Sequence, residues 1–354
     1  MPSPKEMFLN RPLLSAAILL LFTLTACSES SDTSTTNETA TSAATSGYTL
    51  VERVEADSSE IVIPFSKYEL DNGLTVIIHK DMSDPLVHVD VTYHVGSARE
   101  EARRSGFAHF FEHMMFQGSE HVADEQHIGI VTESGGTMNG TTSTDRTNYF
   151  ETVPSNQLET MLWLESDRMG YFLDAVTQEK FEVQRDTVKN ERGQSYENQP
   201  YGLWSEKIYT AMFPAGHPYS WMTIGFMEDL DAATLDDLKS FFLRWYGPNN
   251  ATLTIGGYVD EAEVMNLAVK YFGEIPRGPA VENAEKQPAV LDADRYISYV
   301  DRNIRFPGLF ISYPTVPQDH PDRVALAAMN EIITMGRKSF FYKETNPARE
   351  LQFL

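Results

Sequence analysis

His109 and His113, with Glu112 just before the second histidine, lie in the run from Gly106 to Gly118. On a helix, residues four apart are about 40° apart around the axis and about 6 Å along it, so both imidazoles converge on one face. Glu112 falls beside that pair. Two neutral imidazoles and a carboxylate on one face are what a zinc hydrolase uses: two ligands, and a base next to the metal-bound water. The order His-x-x-Glu-His inverts the commoner His-Glu-x-x-His. The bland alternative is a pair of hydrogen-bonded core histidines. Against it, Phe107, Phe110, Phe111, Met114, Met115 and Phe116 make the helix apolar almost all round, and three ionisable groups buried there without a partner would be costly. A metal supplies that partner.

A third ligand is expected from a second helix, from about Gln178 to Asn198, which ends before Pro200. Phe181 and Val188 mark its inward stripe. Glu191 lies three residues beyond Val188 and close to that face, whereas Glu182 lies about 180° from Glu191. A carboxylate on the buried side of a helix calls for a partner. Zinc would complete a two-histidine, one-carboxylate site with its fourth position open to water. An ion pair with Arg185, on the same helix, is the other reading.

The elements that must position these residues follow from periodicity. Tyr68–Leu70 and Leu74–Ile78 flank Asp71-Asn72-Gly73, a hairpin signal because Asn-Gly accepts positive φ. Leu86–Val95 alternates as a third strand, and His88 and His94 read as sheet residues, not ligands. The His109 helix stops at Gly118, and a helical stretch follows around 125–132. Two strands are expected over 135–142 and 147–152, then a helix opened by Pro154 and Ser155 and running to about Gly170. Further on come a helix over 234–245, a strand over 251–259 and a helix over 261–272 closed by Gly273. Segments 296–300 and 309–313 read as strands, and 322–335 as a helix. The expected fold class is α+β, a mixed sheet covered by helices.

Residues 1–27 read as an export signal: Lys5 and Arg11, then an apolar run from Leu13 to Leu24 too short to span a bilayer comfortably. It ends in Leu24-Thr25-Ala26-Cys27, which looks like a bacterial lipobox, so Cys27 is the expected lipidation site. Cys27 is the only cysteine, which excludes an intramolecular disulfide and a thiolate zinc site. Residues 28–60, opening with a stretch of Ser, Thr, Ala and acidic residues, are expected to be a flexible tether. Ser28 after the cysteine resembles the sorting context of outer-membrane lipoproteins. The expected location is therefore periplasmic, anchored by lipid to the outer membrane of a Gram-negative bacterium. A net charge of −23 argues against nucleic acid as a partner.

The run from Gly106 to Gly118 resembles the zinc-site signature of the pitrilysin and insulysin family of metallopeptidases, to which the mitochondrial processing peptidases also belong. The family's distal glutamate ligand occurs in a run similar to Arg185–Arg192. The resemblance covers about 69–314 and implies one zinc per chain held by His109, His113 and Glu191, with Glu112 as general base. It also implies a substrate-pairing edge strand at Asn139-Gly140-Thr141. Many members carry a glutamate seven residues before the distal ligand; here that position is Gln184. Family members have two similar α+β domains closing around a chamber. The implied organisation is a zinc-binding peptidase domain over 61–275, a linker over 276–293, and over 294–354 the start of a second, inactive domain that is expected to be truncated. The implied activity is a zinc endopeptidase acting on peptides or unfolded segments. The alternative is a non-catalytic, peptide-binding subunit of a two-chain peptidase. A second-half chain or a further copy of this chain is the expected protein partner.

Overall fold

The computed structural model describes residues 47–345 except 60, 284 and 286. The export signal, Cys27, the tether before Gly47 and the last nine residues lie outside the described residues. Seven strands form one mixed sheet: β1 (Tyr48–Val54), β2 (Phe65–Leu70), β3 (Thr75–Lys80), β4 (Leu86–Tyr93), β5 (Thr137–Thr142), β6 (Thr147–Pro154) and β7 (Ala251–Gly257). Their spatial order is β1-β2-β3-β7-β4-β6-β5. β7 runs parallel to β3 and antiparallel to β4, so the middle strand arrives late in the chain and separates two early ones.

One face of the sheet is buried and the other open. In β4, Val87, Val89, Val91 and Tyr93 are buried, and Leu253 and Ile255 of β7 continue the same layer. Their alternation with His88, Asp90 and Thr92 is the period-two signal of a half-buried sheet. His88 bonds Thr152 Oγ1 at 2.9 Å across the open face. His94, just past β4, reaches Thr252 Oγ1 at 3.2 Å.

The helices up to residue 272 are α1 (Phe107–Met114), α2 (Gln126–Glu133), α3 (Leu158–Tyr171), α4 (Gln178–Arg192), α5 (Trp204–Met212), α6 (Met227–Ala232), α7 (Leu235–Trp245) and α8 (Glu261–Phe272), of which α1, α2, α3 and α8 pack against the sheet. α1 packs against α4, α7, β5 and β6. Phe111 stacks on Phe242 and meets Phe172 and Tyr246, while Phe110 meets Phe181 of α4. The Phe110–Phe181 contact joins the two helices that carry the candidate ligands, while the Phe111–Phe242 contact holds α1 against Leu235–Trp245.

Several expectations need correction. Tyr48–Val54 pairs with β2 as β1, so this part of the stretch expected as a tether over 28–60 is strand; composition changes there from Ser and Thr to strand formers. The helix expected to reach Asn198 is α-helical only to Arg192 and continues as a π turn over Gly193–Glu197. Gly273 follows α8 with φ −62°, so no left-handed cap closes that helix. Segments 296–300 and 309–313 form no strands. Tyr296 is 98% and Val300 90% exposed, and apolar alternation makes a strand only where a neighbouring strand is available to pair. Instead this stretch lies along α5, where Phe310 stacks on Trp204. α9 (Arg323–Thr334) forms as expected but buries none of its residues, and α10 (Phe340–Thr345) follows. α5, α6 and α10 were not anticipated.

Candidate metal centre

α1 begins at Gly106, whose φ of +89° is open to glycine at little cost. A Cβ there would also come within 2.9 Å of the Ile224 carbonyl. The helix N-terminus is held by Glu100. Its Oε2 accepts from Gly106 N at 3.0 Å and Trp221 Nε1 at 2.9 Å, and its Oε1 accepts from Ala108 N at 2.8 Å. Burial pushes the Glu100 carboxyl up, and its three donors pull it back. A carboxylate satisfying free N–H groups at a helix start serves as a cap supplied from outside the helix.

From α1 the two imidazoles face α4. Glu191 Oε2 lies 3.7 Å from His109 Nε2 and 3.3 Å from His113 Nε2. A tetrahedral ion with ligands at about 2.1 Å separates them by about 3.4 Å along each edge, close to both of these distances, and the three ligand atoms all lie within 4.8 Å of one another. Burial, and then His113, depress His109 to about 4, which keeps its ring neutral as a ligand must be. Its Nδ1 is buried without a hydrogen-bond partner, so Nε2 is the nitrogen turned to the other two groups. The hydrogen bond from His113, against the cost of burial, lowers Glu191.

Glu182 is on the other side of α4 and pairs with Arg185 at 3.0 Å. Arg185 also donates to the Ala233 carbonyl. The ion pair considered for Glu191 is therefore made by Glu182, and Glu191 is left to the histidines. Gln184 is buried in α4.

Glu112 lies on α1 beside this trio and faces β5. Its Oε2 accepts from Thr142 Oγ1 at 2.6 Å. A Cβ on Gly140 would stand 3.1 Å from its Oε1, so glycine lets the strand approach the carboxylate closely. Burial raises the Glu112 carboxyl, and the Thr142 bond opposes that shift. β5 is an edge strand. Of the three residues expected to meet substrate, Gly140 faces Glu112. Asn139 and Thr141 alternate to the other face: Asn139 Oδ1 accepts from Gly140 N at 2.9 Å, and Thr141 Oγ1 donates to Asn148 at 2.5 Å. Thr142 and Glu100 were missed by sequence reasoning. The period of two along β5, which places 140 and 142 together, was a usable signal for Thr142; nothing comparable pointed to Glu100.

Among the described residues one other group has metal-ligating spacing: His127, Glu151 and Glu165, all buried. Arg168 stands among them, 3.5 Å from Glu151 and hydrogen-bonded to Glu165. Burial works against the Glu165 charge, yet Arg168 and its neighbours hold it down to about 2. Burial beside Glu165 pushes Glu151 well up. The guanidinium already supplies the positive charge that an ion would bring.

Residues 75–218 match the insulinase family (peptidase family M16), and residues 232–346 match the peptidase M16 inactive domain. The zinc protease PqqE of Helicobacter pylori is 29% identical over 278 residues, 78% of this chain and 62% of that protein. A crystal structure of a protease from Helicobacter pylori superposes with TM-score 0.66 at 28% identity, over 81% of this chain and 69% of that one. Pitrilysin superposes with TM-score 0.60 at 22% identity, over 70% of this chain and 26% of its own, a likeness of fold. The chain spans 62–65% of the length of the first curated relatives it matches.

Proposed function

Since the chain belongs to the pitrilysin and insulinase (M16) family of peptidases, we propose that it is a zinc-dependent endopeptidase, with His109, His113 and Glu191 as ligands and Glu112 as general base. The observation that carries this reading is the approach of Glu191 Oε2 to both imidazoles at 3.3 and 3.7 Å, with Glu112 one residue away on the same helix. Zinc, when bound, supplies a Lewis acid that polarises a carbonyl and acidifies water. Glu112 takes the proton from the attacking water and returns it to the departing amine. The cost of burial raises its affinity for that proton, which suits a base working near neutral pH. The free edge of β5 beside Glu112 is suited to an extended peptide, whose main chain would pair along Asn139-Gly140-Thr141. Peptides and unfolded segments are the substrates of that shape.

The N-terminal sequence supports export and lipid attachment at Cys27, with the domain held at a membrane surface. No helix among the described residues is long and apolar enough to cross a membrane. The division into a zinc-binding part and the start of a second, family-related domain belongs to the same proposal, as does a partner chain supplying further substrate contacts. Zinc content and cleavage of a quenched peptide, measured for wild type beside Glu112→Gln, test the reading. A zinc-loaded Glu112→Gln chain with wild-type turnover would overturn it.

A further inference from the structure

We infer that Thr142 is a positioning residue for Glu112, fixing which carboxylate oxygen takes the proton. The inference rests on Glu112 being the base. A glutamate on a helix has three free side-chain torsions, and a base must hold one of their many combinations to work. Here Thr142 Oγ1 donates to Oε2 at 2.6 Å, while Oε1 faces the bare backbone of Gly140. Oε2 is thereby occupied and Oε1 is left as the proton acceptor.

Thr142 is itself fixed. It pairs with Thr147 at the end of β5, and Thr147 Oγ1 donates to the Val95 carbonyl at 2.8 Å. The turn that follows is bonded from the other side, Ser97 N to Ser143 O at 3.2 Å and Ala98 N to Thr144 O at 2.8 Å. A strand tied at this end is a rigid platform for the hydroxyl. During reaction the water O–H bond breaks and an Oε1–H bond forms, and that proton then leaves for the amine nitrogen. The Thr142 proton stays on Oγ1 throughout. Its bond is stronger to the carboxylate than to the neutral acid, so it holds the side chain most firmly in the state that accepts the proton.

The test uses the full zinc-loaded chain as wild type, Thr142→Val, Thr142→Ser and Glu112→Gln. Carboxylate stretching bands of Glu112, isolated by subtracting the infrared spectrum of Glu112→Gln, should move in Thr142→Val and return in Thr142→Ser. This readout needs no turnover, and bands that stay put would overturn the inference. With a quenched peptide, Thr142→Val should lose about ten- to hundredfold in kcat, the worth of one charge-assisted bond. KM and zinc content should hold, and Thr142→Ser should recover most of the rate. Loss of zinc or of thermal stability in place of kcat would mark a merely structural role and sink the idea. Thr142→Ala, read in the same way, covers a valine variant that does not fold. Glu112→Gln inactive beside a fully active Thr142→Val defeats only the role of Thr142. An active Glu112→Gln defeats the base itself.

Discussion

At the scale of single residues, the candidate site separates binding from chemistry. Glu191 shares a meeting point with both imidazoles, whereas Glu182 is engaged with Arg185. His109→Ala or Glu191→Ala should therefore lose most of the zinc, and Glu182→Ala should keep it, as metal analysis after dialysis would show. Glu112→Gln should retain zinc and lose about 10²- to 10⁴-fold in peptide hydrolysis, because an amide cannot accept the proton. His109 also gives the zinc-free chain a pH signature. Its pKa is lowered to about 4 from the usual 6.5, so between those values the unfolded chain binds a proton that the folded chain refuses. Stability from this group is complete above about pH 6.5 and is lost as pH falls toward about 4. Denaturant midpoints across that window should rise with pH, and more steeply for wild type than for His109→Gln; parallel slopes would contradict the assignment.

At the scale of elements, α1 depends on a carboxylate borrowed from outside itself. Glu100→Gln would turn an NH₂ group toward donors and leave at least one of them unpaired, a loss of about 1–3 kcal/mol. Its melting temperature should fall, and zinc should bind more weakly because the helix start moves with the ligands. A second tie joins α3 to β6 through Arg168, Glu165 and Glu151. Removing one partner of a buried pair typically costs about 3–5 kcal/mol, so Glu165→Gln should destabilise more than Glu100→Gln in chemical unfolding. Equal or smaller destabilisation would mean that Glu151 takes over the guanidinium. The helix carrying Glu191 was legible because burial on one side leaves a periodic mark, and the His109 helix because its ionisable trio stands in an otherwise apolar run. β4 and β6 were legible because burial of one face leaves a mark at a period of two. β1 was hidden because its residues are mostly exposed at the sheet's edge. The strands expected after residue 294 failed because local pattern cannot supply a partner strand. Glu100 was invisible, since what makes it matter is a contact with a helix start and with Trp221, far along the chain.

For the molecule as a whole, the first expectation concerns attachment. Cys27→Ser should release the protein from the membrane fraction; a variant that stays bound with its first 26 residues intact would identify an uncleaved anchor. The second concerns the surface after the linker, where Val324 is 73%, Ile332 75% and Tyr313 75% exposed. Several large apolar side chains exposed in one segment favour self-association, so sedimentation should show mass increasing with concentration. A monomer at every concentration would mean that this face is covered in solution. The order of the strands has a consequence in time. β3 and β4 are consecutive in the chain but cannot lie side by side, because β7 takes the place between them. Every candidate zinc ligand has left the ribosome before Ala251 exists, yet the sheet that carries them has a gap at its centre until then. Closing that gap joins residues far apart in sequence, which makes folding slow. For a chain crossing a membrane from its N-terminus, that delay keeps it threadable, and any peptidase activity waits until most of it has arrived on the far side.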